Sequence, residues 1–162
     1  MSIVLARIDN RLIHGQVLES WVPYTHANCI VVANDEVAGL TFQRVLMEAA
    51  VPRGIRVVIG TIAEVAQLFA AGELAVSRVL LLFASSSDAL QAHRLGVGFE
   101  ILNLGNMHGG AGKTRMSCTI ALDPADIDNL KSIEEAGVRI VSQCIPSDRE
   151  QSWRKLIREA GN

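Results

Sequence analysis

The amino-acid sequence predicts one α/β domain: an open, mainly parallel β-sheet with helices on both faces. Short apolar runs rich in β-branched residues alternate with segments of helical period, the pattern of βαβ units joined by right-handed crossovers. The runs are largely apolar along their whole length, as strands covered on both faces must be. A chain of 162 residues, 49% hydrophobic and 20% charged, can bury a sizeable core and lies far from the composition of disordered segments.

In order along the chain, Ile3 to Ile8 reads as the first strand, followed by a polar turn and a helix beginning near Gln16. Cys29 to Ala33 and Ile55 to Ile59 are the next strands. Thr61 and Glu64 have capping-box spacing ahead of a helix that Gly72 can close. Val79 to Phe83 is a fourth strand, with Ser85 to Ser87 placed to cap the helix behind it. Ile101 to Leu104 then leads into Gly105 to Ser117, "GNMHGGAGKTRMS", which has no helical period and reads as a long loop before a short strand at Thr119 to Leu122. Asp123 and Pro124 open a helix that ends near Gly137, and Val138 to Val141 is the last parallel strand. Gly54 and Gly137 stand where helices must stop and turn back into the sheet. A final amphipathic helix, capped by Ser147 or Asp148, puts Trp153, Leu156 and Ile157 on one side, to pack on the domain or in a homo-oligomer contact.

Charge excludes some functions. The formal net charge of -2, from 15 basic and 17 acidic residues spread along the chain, provides no field to hold nucleic acid or an anionic membrane. Cys29, Cys118 and Cys144 are odd in number and lack CxxC spacing, so reduced, buried thiols in a cytosolic protein are expected. No apolar run reaches the roughly 18 residues that span a bilayer, and Arg7 and Asp9 come too early for a secretory signal. The expectation is a cytoplasmic chain able to associate peripherally with membrane subunits.

The reactive candidates crowd into the first loop, "ARIDNRLIHGQV" from Ala6 to Val17. Ligands of open α/β sheets sit beyond the carboxyl ends of the strands, where this loop falls. The following helix would present free amides and the positive end of its dipole beside His14. A neutral imidazole is a nucleophile near pH 7, so His14 can accept a phosphoryl group. Arg11 offers a permanent cationic fork for the phosphoryl oxygens, joined by backbone amides from Gly15 onward. Asp9 can fix the imidazole tautomer, cooperate with Arg11, or cap the helix.

The motif "RIDNRLIHGQV" resembles, almost letter for letter, the phosphorylation-site signature of the IIB components of the mannose, fructose and sorbose family of the bacterial phosphoenolpyruvate-dependent sugar phosphotransferase system (PTS). "VVANDEVA" at Val31 to Ala38 and "NLGNMH" at Asn103 to His108 extend the resemblance over residues 1–162, as one IIB domain. It implies a protein-N(pi)-phosphohistidine–sugar phosphotransferase in which His14 takes the group from a soluble IIA component. His14 then passes it to a sugar held by the membrane IIC and IID subunits. By position Arg11 is the phosphate-binding partner and Asp9 the supporting acid. Two partners must reach one nitrogen in turn, so the surface around His14 is expected to be open. Transfer between histidines calls for no cofactor or metal. "VANDEVA" and "GNMH" look more like members serving amino sugars such as N-acetylgalactosamine.

The remaining motifs are weaker. "GGAGKT" fails the phosphate-loop pattern GxxxxGK[ST], because Met107 stands where glycine is required. His108 and Lys113 can instead line the periphery of the site, and Asp35, after the second strand, can border the same crevice. Trp21 and Trp153 fall at packing positions, and His26 and His93 lie toward helix ends. Two other functions compete on the residues alone: reversible anion or nucleotide binding at the same edge without covalent chemistry, and a regulatory phosphohistidine domain.

Overall fold

The structure, a computed structural model, describes residues 2–161. A 7-stranded sheet runs in the order β3-β2-β4-β1-β5-β8-β9. Its strands are β1 (Ile3–Asp9), β2 (Cys29–Ala33), β3 (Arg56–Gly60), β4 (Val79–Phe83), β5 (Ile101–Asn106), β8 (Arg139–Ser142) and β9 (Gln151–Ser152). All pairings are parallel except the edge pair β8·β9. The Gly-rich loop after β5 carries a small antiparallel pair, β6 (Thr114–Arg115) with β7 (Ala121–Leu122).

Strand alternation sorts the core into two layers. Ile30 and Val32 of β2 and Leu80 and Leu82 of β4 face Val17 and Trp21 of a π-helical turn (Val17–Trp21) that runs into α1 (Val22–Thr25). Val37 of α2 (Asp35–Ala38) and Met47 of α3 (Thr41–Ala50) pack into the same layer. Cys29, Val31, Leu81 and Phe83 face the other way, onto α4 (Ile62–Ala70), α5 (Ser86–Arg94), α6 (Pro124–Glu135) and α7 (Trp153–Ala160). The chain moves outward from β1 by helices on the first face and back by helices on the second, which gives every parallel crossover the same hand, as the right-handed rule for βαβ units requires. β1 thus precedes a first-face helix while its neighbours β4 and β5 precede second-face helices. A crevice opens at its carboxyl end.

Most punctuation falls where the residues place it. Thr61 accepts the Glu64 amide, Ser85 the Asp88 amide and Asp123 the Asp126 amide, each capping its helix. Gly72 and Gly137 adopt φ of +75° and +102° after α4 and α6. Three expectations are corrected. Gly54 has positive φ, but α3 already ends at Ala50, so the glycine belongs to a separate turn before β3. The C-terminal helix is capped by Ser152, not by Ser147 or Asp148, because Gln151 and Ser152 first pair with β8 as an edge strand. The thiols are free, but only Cys29 is buried, and Cys118 is exposed on the Gly-rich loop.

Candidate functional site

β1 points its residues alternately to the two layers, and this places an ion pair at its carboxyl end. Ala6 and Ile8 enter the second-face core, so Arg7 and Asp9 project together onto the face of the π-helical turn. Both side chains are fully buried. The register between β1 and β5 runs Arg7↔Asn103, Ile8↔Leu104, then Asp9↔Asn106, so Gly105 is an extra residue in β5. This bulge turns Asn106 onto the Asp9 side of the sheet. It also gives Arg7 room, since a Cβ on Gly105 would collide with the Arg7 guanidinium.

Asp9 is the hub. Its Oδ2 accepts from Asn106 Nδ2 at 2.9 Å and Arg7 Nε at 3.3 Å and lies 2.9 Å from His14 Nε2, while Oδ1 accepts the Arg11 amide at 3.1 Å. Burial by itself would raise the Asp9 carboxyl. Hydrogen bonds from His14 and Asn106, with the charges of His14 and Arg7, outweigh it and hold the group below its ordinary value. Asp9 is therefore a carboxylate at neutral pH and an acceptor for both ring and amides. Burial lowers Arg7 against the opposing pull of Asp9, but from so high a starting value that the cation survives.

His14 stands just before the helix. The Leu18 amide donates to the His14 carbonyl at 3.1 Å, so the amides of Gly15, Gln16 and Val17 precede the intrahelical ladder, as first-turn amides do. Gly15 is exposed, with open space where a Cβ would project. With Nε2 on Asp9, Nδ1 is left with no hydrogen-bond partner and no accessible surface. The side chain is only 8% exposed, so the open histidine expected from sequence is corrected: the ring lies tucked under the lip of the crevice. Between Arg11 and His14 the buried Leu12 adopts φ of +57°, in the left-handed region that leucine rarely occupies. Arg11, by contrast, is exposed at the turn.

The peripheral candidates divide. His108 is exposed and shares a polar cleft of about 430 Å³ with Asn106, Arg115 and Ser117, next to the Asp9 cluster. Asp35 accepts the Ile62 amide at 2.9 Å and so serves the start of α4 instead of the crevice. Lys113 is paired with Asp126 at 2.8 Å, which ties the Gly-rich loop down to α6. That loop leads to β6, not to a helix, in keeping with the rejected phosphate-loop reading. His26 ends α1 in a left-handed conformation, and His93 packs edge-on against Phe99. Trp153 is buried against the sheet, whereas the equally buried Trp21 also serves the site. It lies 4.9 Å from the Arg7 guanidinium and donates Nε1–H to the Cys144 carbonyl. An apolar cleft of about 300 Å³ on the flank of β5 and β8 does not include His14.

Arg7, Asn103, Asn106 and Gln16, none of them singled out for the site from the sequence, complete the cluster around Asp9. The signal lay in a charged residue within an apolar strand, two positions before an acid, with a glycine between two asparagines in the fifth strand. Among the described residues no cluster of three His, Cys, Asp or Glu side chains is arranged to hold a metal, and no helix is long and apolar enough to cross a membrane.

Fold and site together define a doubly wound α/β domain with a histidine–carboxylate pair at the carboxyl edge of its central strand. The chain belongs to the family of PTS system sorbose subfamily IIB components, whose family model matches residues 3–162. These are phosphotransferase components, phosphocarriers of sugar uptake. Similar proteins include the N-acetylgalactosamine-specific phosphotransferase enzyme IIB component 2 of Escherichia coli K12, 37% identical over 96% of this chain and 99% of that protein. The mannose-specific EIIAB component of the same strain is 32% identical over 97% of this chain and 49% of its own length. Among solved structures, the IIB domain of the sorbose permease from Klebsiella pneumoniae superposes with a TM-score of 0.93 at 32% identity, covering 98% of each chain.

Proposed function

We propose that His14 carries the phosphoryl group on Nδ1, taken from a phosphohistidine of a IIA component and passed to a sugar held by the membrane IIC and IID subunits. One observation carries the reading: Asp9 holds Nε2 at 2.9 Å, while Nδ1 of the same ring has no partner. In the first step the Nδ1 lone pair attacks phosphorus as the donor N–P bond breaks, its electron pair returning to the donor imidazole. In the second a sugar hydroxyl attacks phosphorus, the bond to His14 breaks and its pair returns to Nδ1. The hydroxyl proton leaves to a base on the acceptor side. Throughout, Nε2–H stays on Asp9, whose charge stabilises the positive ring of the phosphohistidine. Arg11 and the amides from Gly15 onward hold the phosphoryl oxygens, so neither a metal nor a cofactor is required.

The tucked ring means that partner docking displaces the loop over residues 10–13 enough to uncover Nδ1. The left-handed Leu12, held there at a cost of the order of 1 kcal/mol, supports such a movement. The whole of residues 1–162 acts as one IIB domain, in the cytoplasm and against the inner face of the membrane subunits. The mannose-specific relative, whose name joins A and B components in one chain, supports a IIA partner, and identity to the N-acetylgalactosamine-specific component supports an amino sugar as cargo.

The test is incubation with labelled phosphoenolpyruvate, the two general phosphotransferase proteins and the matching IIA. The expected label is stable to base, labile to acid and absent from His14→Ala; label on His108 instead overturns the assignment. Disrupting the gene and screening growth across sugars then identifies the cargo, with loss confined to an amino sugar expected.

A further inference from the structure

Arg7 is a buried cation in the centre of the sheet, an expensive place for a charge. Replacing a buried ion pair by apolar side chains of similar volume is often neutral or stabilising, so packing gives no reason for the Arg7–Asp9 pair. The guanidinium has five N–H groups, and each has an acceptor. Nε donates to Asp9 Oδ2 at 3.3 Å; one terminal nitrogen to Asn103 Oδ1 and to the Gln143 carbonyl at 2.8 Å; the other to Gln16 Oε1 at 3.2 Å and the Cys144 carbonyl at 3.0 Å. Trp21 covers its face. No donor is left over for an incoming phosphate, so any influence of Arg7 on the reaction passes through the groups it holds. Gln16 is also reached by Asn106 Nδ2 at 3.3 Å, which closes a ring of hydrogen bonds from Arg7 through Asp9 and Asn106 back to Arg7.

We propose that Arg7 is a positioning residue for phosphoryl transfer: fixed in the β5 bulge at Gly105, it holds Asp9 turned toward His14 Nε2 and so keeps Nδ1 the nucleophilic nitrogen. The inference rests on the reading of His14 as the phosphoryl acceptor. A neutral imidazole carries one ring proton, and an Asp9 that swings away lets that proton occupy Nδ1, where it removes the attacking lone pair. Lysine keeps the charge at position 7 but has three N–H groups in place of a planar fork, so it cannot satisfy the same acceptors.

Long-range ¹H–¹⁵N NMR of the uniformly labelled protein reads the His14 tautomer, and rapid-quench transfer from phospho-IIA gives the rate within the complex. The wild type is expected to show the proton on Nε2. In Arg7→Lys, Arg7→Met and Gly105→Ala, whose new Cβ must push Arg7 aside, the tautomers mix. The maximal transfer rate then falls about 10- to 100-fold while half-saturation by phospho-IIA stays constant. Folded variants with wild-type tautomer and rate overturn the proposal. If every variant unfolds, an Nδ1–H tautomer in the wild-type protein still does so. Wild-type label anywhere but His14 refutes the functional reading itself, whereas label on His14 with indifferent Arg7 variants refutes only this inference.

Discussion

Arg11 and Arg7 lie four residues apart and meet opposite environments, one exposed and one buried. Arg11 is exposed and engages the site through its backbone amide, which leaves its guanidinium with little packing to lose. Arg11→Ala is therefore expected to change unfolding free energy by no more than about 0.5 kcal/mol. Its effect on single-turnover transfer should be about 100-fold, the usual loss of one charge-stabilising donor. Urea unfolding beside rapid-quench transfer checks both halves; a stability loss matching the rate loss would mean a structural role. Asp9, Arg11 and His14 stood out in the sequence because "RIDNRLIHGQV" resembles the family's phosphorylation-site signature, and the structure brings Asp9 and His14 together. Arg7 was not singled out. Its hydrogen bonds go to positions 16, 103, 143 and 144, which meet only when β1, β5 and β8 lie side by side.

The strands were legible as elements because an apolar run covered on both faces leaves a strong mark, and β2 and β4 begin and end where the residues place them. The β5 bulge was not, since a bulge is a property of two strands in register and "NLGNMH" alone contains only one of them. The start of the last helix was misplaced for a related reason: Gln151 and Ser152 complete the sheet edge before Trp153 begins α7. What anchors α7 is its apolar side. Leu156, 4% exposed, faces the second core layer, while Lys155 pairs with Glu159 across 3.8 Å in solvent. Leu156→Ala should cost about 2–4 kcal/mol. Lys155→Ala should cost no more than about 0.5 kcal/mol, as for an exposed pair one turn apart. Urea denaturation of the two variants decides it, and equal losses would place the anchoring of α7 elsewhere.

Across the whole molecule, the crossovers bring three loops to one sheet edge, and two carboxylates near that edge, Asp126 and Asp88, are shifted in opposite directions. Asp126 is held below its ordinary value: burial raises it, but hydrogen bonds from Lys113 and Ser86 and the Lys113 charge prevail. Its contribution to stability is complete above the unfolded pKa, near 3.9, and disappears as pH falls through the lower folded value. Asp88 behaves in the opposite sense. Burial, with Asp35 adding repulsion, raises it despite the hydrogen bond from Asn34, so its contribution is complete below the unfolded pKa and lost as pH rises through the folded value. Asp126→Asn should then cost about 2 kcal/mol at pH 7, where it strips Lys113 of its counter-charge, and distinctly less near pH 3. Asp88→Asn should stabilise by about 0.5 kcal/mol at pH 7, a modest figure for a partly solvated group, with no gain near pH 3. Urea midpoints for the wild type and both variants between pH 7 and pH 3 measure the two slopes. Parallel curves for the three proteins would show that neither carboxylate governs acid stability and would turn attention to the other lowered carboxyls, Asp9 and Glu134.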